Sequence, residues 1–260
     1  MADFRNYPNR MTRTGAQSGA MIDEGLRAYM IKVYNLMALG LAITGVAAYA
    51  VFALATTNDP SAAAATLGRG MMLTQFGVAL YTSPLKWVAV LAPLALVFFL
   101  GFRINSMSVA AARNTFWTYA ALVGVSLSSL FLVYTHESVV QTFFVTAAAF
   151  GSLSLYGYTT KRDLSAMGSF LMMGLFGLII ASLVNIFLAS SALQFAISAI
   201  GVLVFAGLTA YDTQKIKEMY FEGDDVAVAG RKAIMGALTL YLDFINLFMF
   251  LLQFMGNRDR

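Results

Sequence analysis

The sequence predicts an all-α integral membrane protein, a bundle of seven membrane-spanning helices, and three observations carry that expectation. Of its 260 residues 59% are hydrophobic and only 12% charged, and the mean hydropathy is +0.72, far from soluble averages. The apolar residues gather into seven segments, at roughly 29–54, 87–104, 110–134, 138–158, 167–188, 193–213 and 233–255, each near the ~20 residues a helix needs to cross a hydrocarbon core of ~30 Å. None alternates with period two, which argues against a closed barrel, the other structure that satisfies its own backbone inside lipid.

Residues 1–27 form a polar cytoplasmic tail with Pro8 and scattered Asn, Arg, Thr, Gln and Ser. No apolar core precedes a small-residue cleavage site there, so a cleaved signal peptide is not expected. Residues 28–260 form the membrane domain. The longest connection, 55–86, holds Asn58, Asp59 and Pro60, then an apolar patch from Met71 to Leu80 that is too short to span and is expected at the membrane interface. Pro93 removes a backbone donor in the middle of the second segment and predicts a kink. Gly124 and Ser128, Ala147 and Gly151, and Gly177 and Ala181 stand four apart on the next three segments. Such spacing lets helices approach closely in lipid, so all three pairs read as packing contacts.

The net charge of +4 and pI near 9.3 invite a nucleic-acid reading. A membrane protein acquires the same balance by anchoring its cytoplasmic loops, and the distribution favours that origin. With the N-terminus inside, thirteen basic residues fall on the cytoplasmic side and only Arg69, Lys86, Arg258 and Arg260 outside. The tail at 257–260 is discordant, and a last segment that re-enters instead of crossing would remove the discordance. The absence of cysteine excludes disulfides, thiolate metal sites and thiol nucleophiles, and a single histidine, His136, argues against a histidine-rich metal site.

Within the seventh segment, ALTLYLDFINLFM, one carboxylate stands alone. Asp243 lies ten residues past Ala233, which at ~1.5 Å per residue places it about 15 Å deep. An Asp at a helix centre costs about 2.5–3.5 kcal/mol on insertion scales, so it must face protein or water. Gly236, Thr239, Asp243 and Asn246 follow at intervals of three and four and form one polar stripe. The alternative role is structural, a protonated acid that only joins two helices. Asp212, in GLTAYDTQKIK, stands where the sixth segment gives way to polar and basic residues, and is equally readable as a site or a solvated helix-end acid. Asn185, interrupting ASLVNIFL, can face the same interior. Arg103 ends the second segment, where an arginine is ordinarily an anchor at the cytoplasmic border. Glu218, Glu222, Asp224 and Asp225 read as a wet surface, because the alternating ligands of an EF-hand are missing, and His136 and Glu137 read as solvated loop residues.

Catalysis fits this inventory poorly. An intramembrane serine protease needs a Ser–His dyad, and the single histidine lies in a loop ten residues beyond Ser126. A zinc protease needs paired histidines. Intramembrane aspartyl proteases pair YD with GxGD on successive helices; Tyr211 and Asp212 match the first half, but Tyr241 and Leu242 stand where glycines belong in the second. The chain is not expected to be an enzyme.

The stretches KVYNLMALGL (32–41), SLYGYTTKRDLSAMGSFLMMGLFGLIIASLVNIF (154–187), FAGLTAYDTQKIK (205–217) and LTLYLDFINLF (238–248) resemble the Bax inhibitor-1 family, in particular its bacterial members, from about Arg27 to Gly256. The resemblance implies a seven-helix bundle with six helices around a central C-terminal one, in the bacterial inner membrane. It implies a pH-sensitive calcium leak linked to stress tolerance, with calcium as permeant ion or transient ligand and no further cofactor. Asp212 and Asp243 fall on the family's di-aspartyl pH sensor, and Arg103 is the nearest match to its arginine latch. Some bacterial members are instead associated with membrane proteases and stress-response proteins as partners.

Elementary electrostatics is compatible with that implication. Two carboxylates in a low-dielectric site cannot both ionise cheaply, so they share a proton and titrate as a unit. Protonated, the pair ties two helices together; doubly ionised, it repels and offers two hard oxygen ligands to calcium. Two functions therefore stand: a cation leak gated by Asp212 and Asp243, and a non-conducting membrane protein that modulates a protease or stress pathway.

Overall fold

The computed structural model describes the backbone of residues 7–67 and 70–257, with side chains from Glu24 onward. Arg5, Arg69, Arg258 and Arg260 of the charge count, and the side chains of Arg10, Arg13 and most of the polar tail, lie outside the described residues. The elements run α1 (Tyr7–Ala55), β1 (Thr56–Thr57), β2 (Ala65–Thr66), β3 (Met72–Leu73), α2 (Gln75–Tyr81), α3 (Leu85–Arg103), α4 (Val109–Leu127), α5 (His136–Thr159), α6 (Ser165–Leu188), α7 (Ser191–Glu218) and α8 (Val226–Met255).

Seven stretches are long and apolar enough to cross a bilayer, one in each of α1 and α3–α8, and they coincide with the seven segments of the sequence. Three boundaries move: α1 begins at Tyr7, within the polar tail, well before the first apolar segment. Beyond Thr213, α7 continues to Glu218, and α8 begins at Val226 instead of near Ala233. Hydropathy reports where lipid ends, not where helix ends. Asp225 caps α8, its Oδ1 accepting from the Val228 amide at 2.7 Å. The longer helix leaves the depth of Asp243 unchanged, since it lies twelve residues from Met255, about 18 Å. Nor does α8 turn back. Ile216 packs against Gly236, Phe250 against Gly201, and Gln194 bonds Gln253, so α8 runs antiparallel along nearly all of α7.

The long connection contains a feature absent from the helical expectation. Strands β1, β3 and β2 pair antiparallel in that order, and Thr74 then caps the short helix α2, which holds most of the apolar patch in about two turns against α1. Strands this short give no periodicity to read.

The core is centred on α8, whose residues Leu240, Tyr241, Asp243, Phe244, Leu247 and Leu252 are buried. It is enclosed by α1, α4, α5 and α7, with α3 packed outside α4 and α6 outside α7. Of the three small-residue pairs, only Gly124–Ser128 closes a helix contact: a Cβ on Gly124 would strike the Thr44 carbonyl oxygen and Ala47 of α1. Gly151 and Gly177 face open space within 4 Å. The tight crossing of α5 on α7 is made instead by Gly157, where a Cβ would collide with the Ala210 carbonyl. A four-residue spacing marks a helix face without saying what covers it.

Candidate functional site

The AYDTQ stretch of α7 assigns a different task to each side chain, because successive residues on a helix point about 100° apart. Tyr211 lies against Gly168 of α6, where any Cβ would enter its ring. Thr213 Oγ1 donates back to the Thr209 carbonyl at 2.7 Å and is hydrogen-bonded to Ser154 Oγ of α5 at 2.9 Å, and Ser154 Oγ to Tyr34 Oη of α1 at 2.7 Å. Gln214 Oε1 accepts from the Leu164 amide at 2.9 Å while its Nε2 donates to the Arg162 carbonyl at 2.8 Å, fixing the α5–α6 connection. Lys217 Nζ donates to the Tyr158 carbonyl at 2.8 Å. Asp212, half-buried, is thus held by neighbours bound to three other helices.

Facing it from α8 is Asp243, only 4% exposed. The two carboxyl groups lie within hydrogen-bonding reach of each other. A bond between two carboxyls requires a proton on one of them, since an ionised carboxylate only accepts. Asp243 Oδ2 is buried, and no N–H or hydroxyl donor reaches it. Above and below it α8 is fixed by its aromatic neighbours. Tyr241 Oη is hydrogen-bonded to Thr44 Oγ1 at 2.6 Å and its ring meets Phe116 and Tyr119, while Phe244 meets Phe143 and Phe150.

The remaining expected site residues are not gathered here. Thr239 is half-buried one turn away, and Asn246 Nδ2 donates to its own helix at the Leu242 carbonyl, 2.8 Å, so the stripe is not a continuous polar line. Asn185 belongs to the opposite end of the bundle, where its Oδ1 accepts from the Ser190 amide at 3.0 Å and its Nδ2 donates to Gln194 Oε1 at 3.1 Å. Helix direction explains the correction: Asn185 ends α6, beside the start of α7, whereas Asp212 is near the finish of α7. Arg103 is exposed at the end of α3, a helix packed on α4 and α2, and among the described residues it forms no ion pair; it does not latch the carboxylates in this conformation.

Sequence reasoning missed the Tyr34–Ser154–Thr213 hydroxyl chain and the Gln214 brace. A glutamine and a serine carry no special spacing, and only a buried position reveals them. The loop acids are not merely wet: Asp224 pairs with Lys232, Glu218 with Lys215, and Asp225 caps α8. Outside the spans, hydrogen bonds from the Ser165 hydroxyl and amide hold the Asp163 carboxyl below the usual range. His136 stacks with Phe131 and meets Phe52 edge-on.

Among the described residues no group of three or more His, Cys, Asp or Glu side chains could hold a metal. Calcium takes about six to eight oxygens. Asp212 and Asp243 could supply a minority of them, the rest coming from water or backbone, which suits a passing ion better than a resident one.

A family model described as inhibitor of apoptosis-promoting Bax1 matches residues 26–260. The chain is 50% identical over 247 residues to an uncharacterized protein of Rickettsia prowazekii, covering 95% of this chain and 97% of that one. It is 49% identical to an uncharacterized protein of Caulobacter vibrioides over 262 residues, the full length of both. It is 47% identical over 238 residues to the inner membrane protein YbhL of Escherichia coli, covering 90% of this chain and 93% of that protein. With the family model spanning all seven helices and three bacterial relatives matched over nine-tenths of their length or more, the chain belongs to the Bax inhibitor-1 family.

Proposed function

We propose that this protein is a calcium or cation leak of the bacterial inner membrane, with its N-terminus cytoplasmic, and that protonation of the Asp212–Asp243 pair gates it. The observation that carries the reading is the unpartnered Oδ2 of Asp243 beside a second carboxyl, on the most enclosed helix of the bundle. A buried acid with an unsatisfied oxygen is costly, and helix packing alone is served as well by an amide. Sharing one proton, the pair joins α7 to α8; losing it, the carboxylates repel and offer oxygen to a cation. The inner-membrane location is carried over from YbhL, and the orientation from the basic residues.

The second reading, a non-conducting partner of a membrane protease or stress-response protein, draws on the dense packing around the pair, where Tyr241, Phe244, Leu247 and Phe248 are all buried. Purified protein in liposomes with an entrapped calcium dye, scanned across pH, separates the two. Flux that depends on pH supports the gate, whereas silence at every pH overturns conduction and leaves the interaction reading.

A further inference from the structure

At the end of the bundle that carries Arg27 and Tyr158, α1 and α5 both pack on α8 and meet each other through the Tyr34–Ser154 hydrogen bond, leaving a gap between them beside it. The gap is a crevice of about 650 Å³ floored by Phe244 and Phe150. Its α5 wall is cut back by Ala147 and Gly151, and a Cβ on Gly151 would meet nothing within 4 Å. The small pair that the sequence offered as a packing contact therefore makes room. A second crevice of about 170 Å³ continues from it, sharing Leu41, Phe143 and Phe244.

This seam lies within spanning segments and opens beside Ile31 and Leu155, both exposed on the lipid-facing side. The medium there is hydrocarbon. Along α1 the crevice runs from Arg27 to Leu41, about 21 Å at helical rise and so longer than half of a ~30 Å hydrocarbon core. Arg27 is exposed at its mouth, and among the described residues it has no carboxylate partner. We infer that the crevice seats one anionic phospholipid, with an acyl chain between α1 and α5 and the phosphate at Arg27. Length, apolar walls and a cation at the headgroup level fit that occupant together. The site stands apart from the leak reading, since it does not require conduction.

The test uses the full chain in mixed phosphatidylcholine and phosphatidylglycerol vesicles, with a phosphatidylglycerol carrying a photoreactive acyl chain, and maps cross-linked peptides by mass spectrometry. Cross-links should concentrate on residues 30–41 and 147–155 above those on the outer face of α6 at Phe176 and Ile180. Gly151→Trp or Ala147→Leu should remove the crevice cross-links and keep those on α6, which also reports that the bundle has folded. Arg27→Gln should cut the preference for phosphatidylglycerol over a phosphatidylcholine probe about fivefold, the effect of one basic residue at an anionic surface. Crevice labelling no higher than on α6, or unchanged by filling the crevice, overturns the inference. A Gly151→Cys chain that forms disulfide-linked dimers in the vesicles would also overturn it, by assigning the face to a second copy.

Discussion

The α7–α8 pair carries buried polar groups at two levels, and they are built on opposite principles. At one end Asn185 Nδ2 donates to Gln194 Oε1, Gln194 Nε2 donates to Gln253 Oε1 at 2.8 Å, and Ser198 Oγ lies within 3.3 Å of the same Gln253 oxygen. Every group in this chain is neutral, and the amide nitrogens of Asn185 and Gln194 each meet an acceptor. Farther along the same two helices, Asp212 and Asp243 are acidic and face each other, and no N–H or hydroxyl donor reaches the buried Oδ2 of Asp243. A satisfied network fixes one structure. An unsatisfied acid keeps two protonation states within reach, and so marks the end of the hairpin that can respond.

The contrast is sharpest in flux. Asp243→Asn and Asp212→Asn should each abolish the pH dependence of calcium flux in liposomes, and the double substitution should add little because the pair acts as one unit. Retention of the wild-type pH profile in either variant would reduce the pair to helix glue. Stability should move in opposite directions at the two levels. Gln194→Leu removes the acceptor of Asn185 Nδ2 and the amide donor to Gln253 Oε1, and should lower resistance to unfolding in detergent by ~1–3 kcal/mol without altering the pH profile. Asp243→Leu should raise it, by up to ~2.5 kcal/mol, since it removes a buried acid. If both variants destabilise equally, the comparison fails.

A milder effect belongs to a carboxylate in water. Asp163, held below its ordinary range by Ser165, contributes to the start of α6 above the unfolded value and loses that contribution as pH falls through the lower folded value. Asp163→Asn should therefore leave thermal stability almost unchanged near neutrality and flatten a small acid-side decline, read from unfolding scans between acidic and neutral pH.

How much of this was legible in the sequence follows from the physics of each signal. The seven spans were legible because crossing a bilayer demands a length of apolar chain that little else demands. Asp243 was legible because a lone acid in such a run is conspicuous, and Asp212 became more than an ambiguous helix-end acid only through the family resemblance. Asn185 illustrates the opposite case: depth in one helix does not say which end of a neighbour it meets. Arg103 failed likewise, since the packing of α3 outside α4 is a tertiary fact. The strands of the 56–73 connection are two residues each, too short to show a period.

The antiparallel register of α7 and α8 has a consequence for how the chain enters the membrane. Both polar pairs, Asp212 with Asp243 and Gln194 with Gln253, join the last two helices, which are connected only by residues 219–225. Delivered singly, each helix would present an acid and an amide to hydrocarbon unaccompanied; delivered as a hairpin, each brings the other's partner. Insertion of the two together therefore lowers the barrier that either meets alone, and a nascent chain released after α7 should be held at the translocation machinery or degraded until α8 arrives.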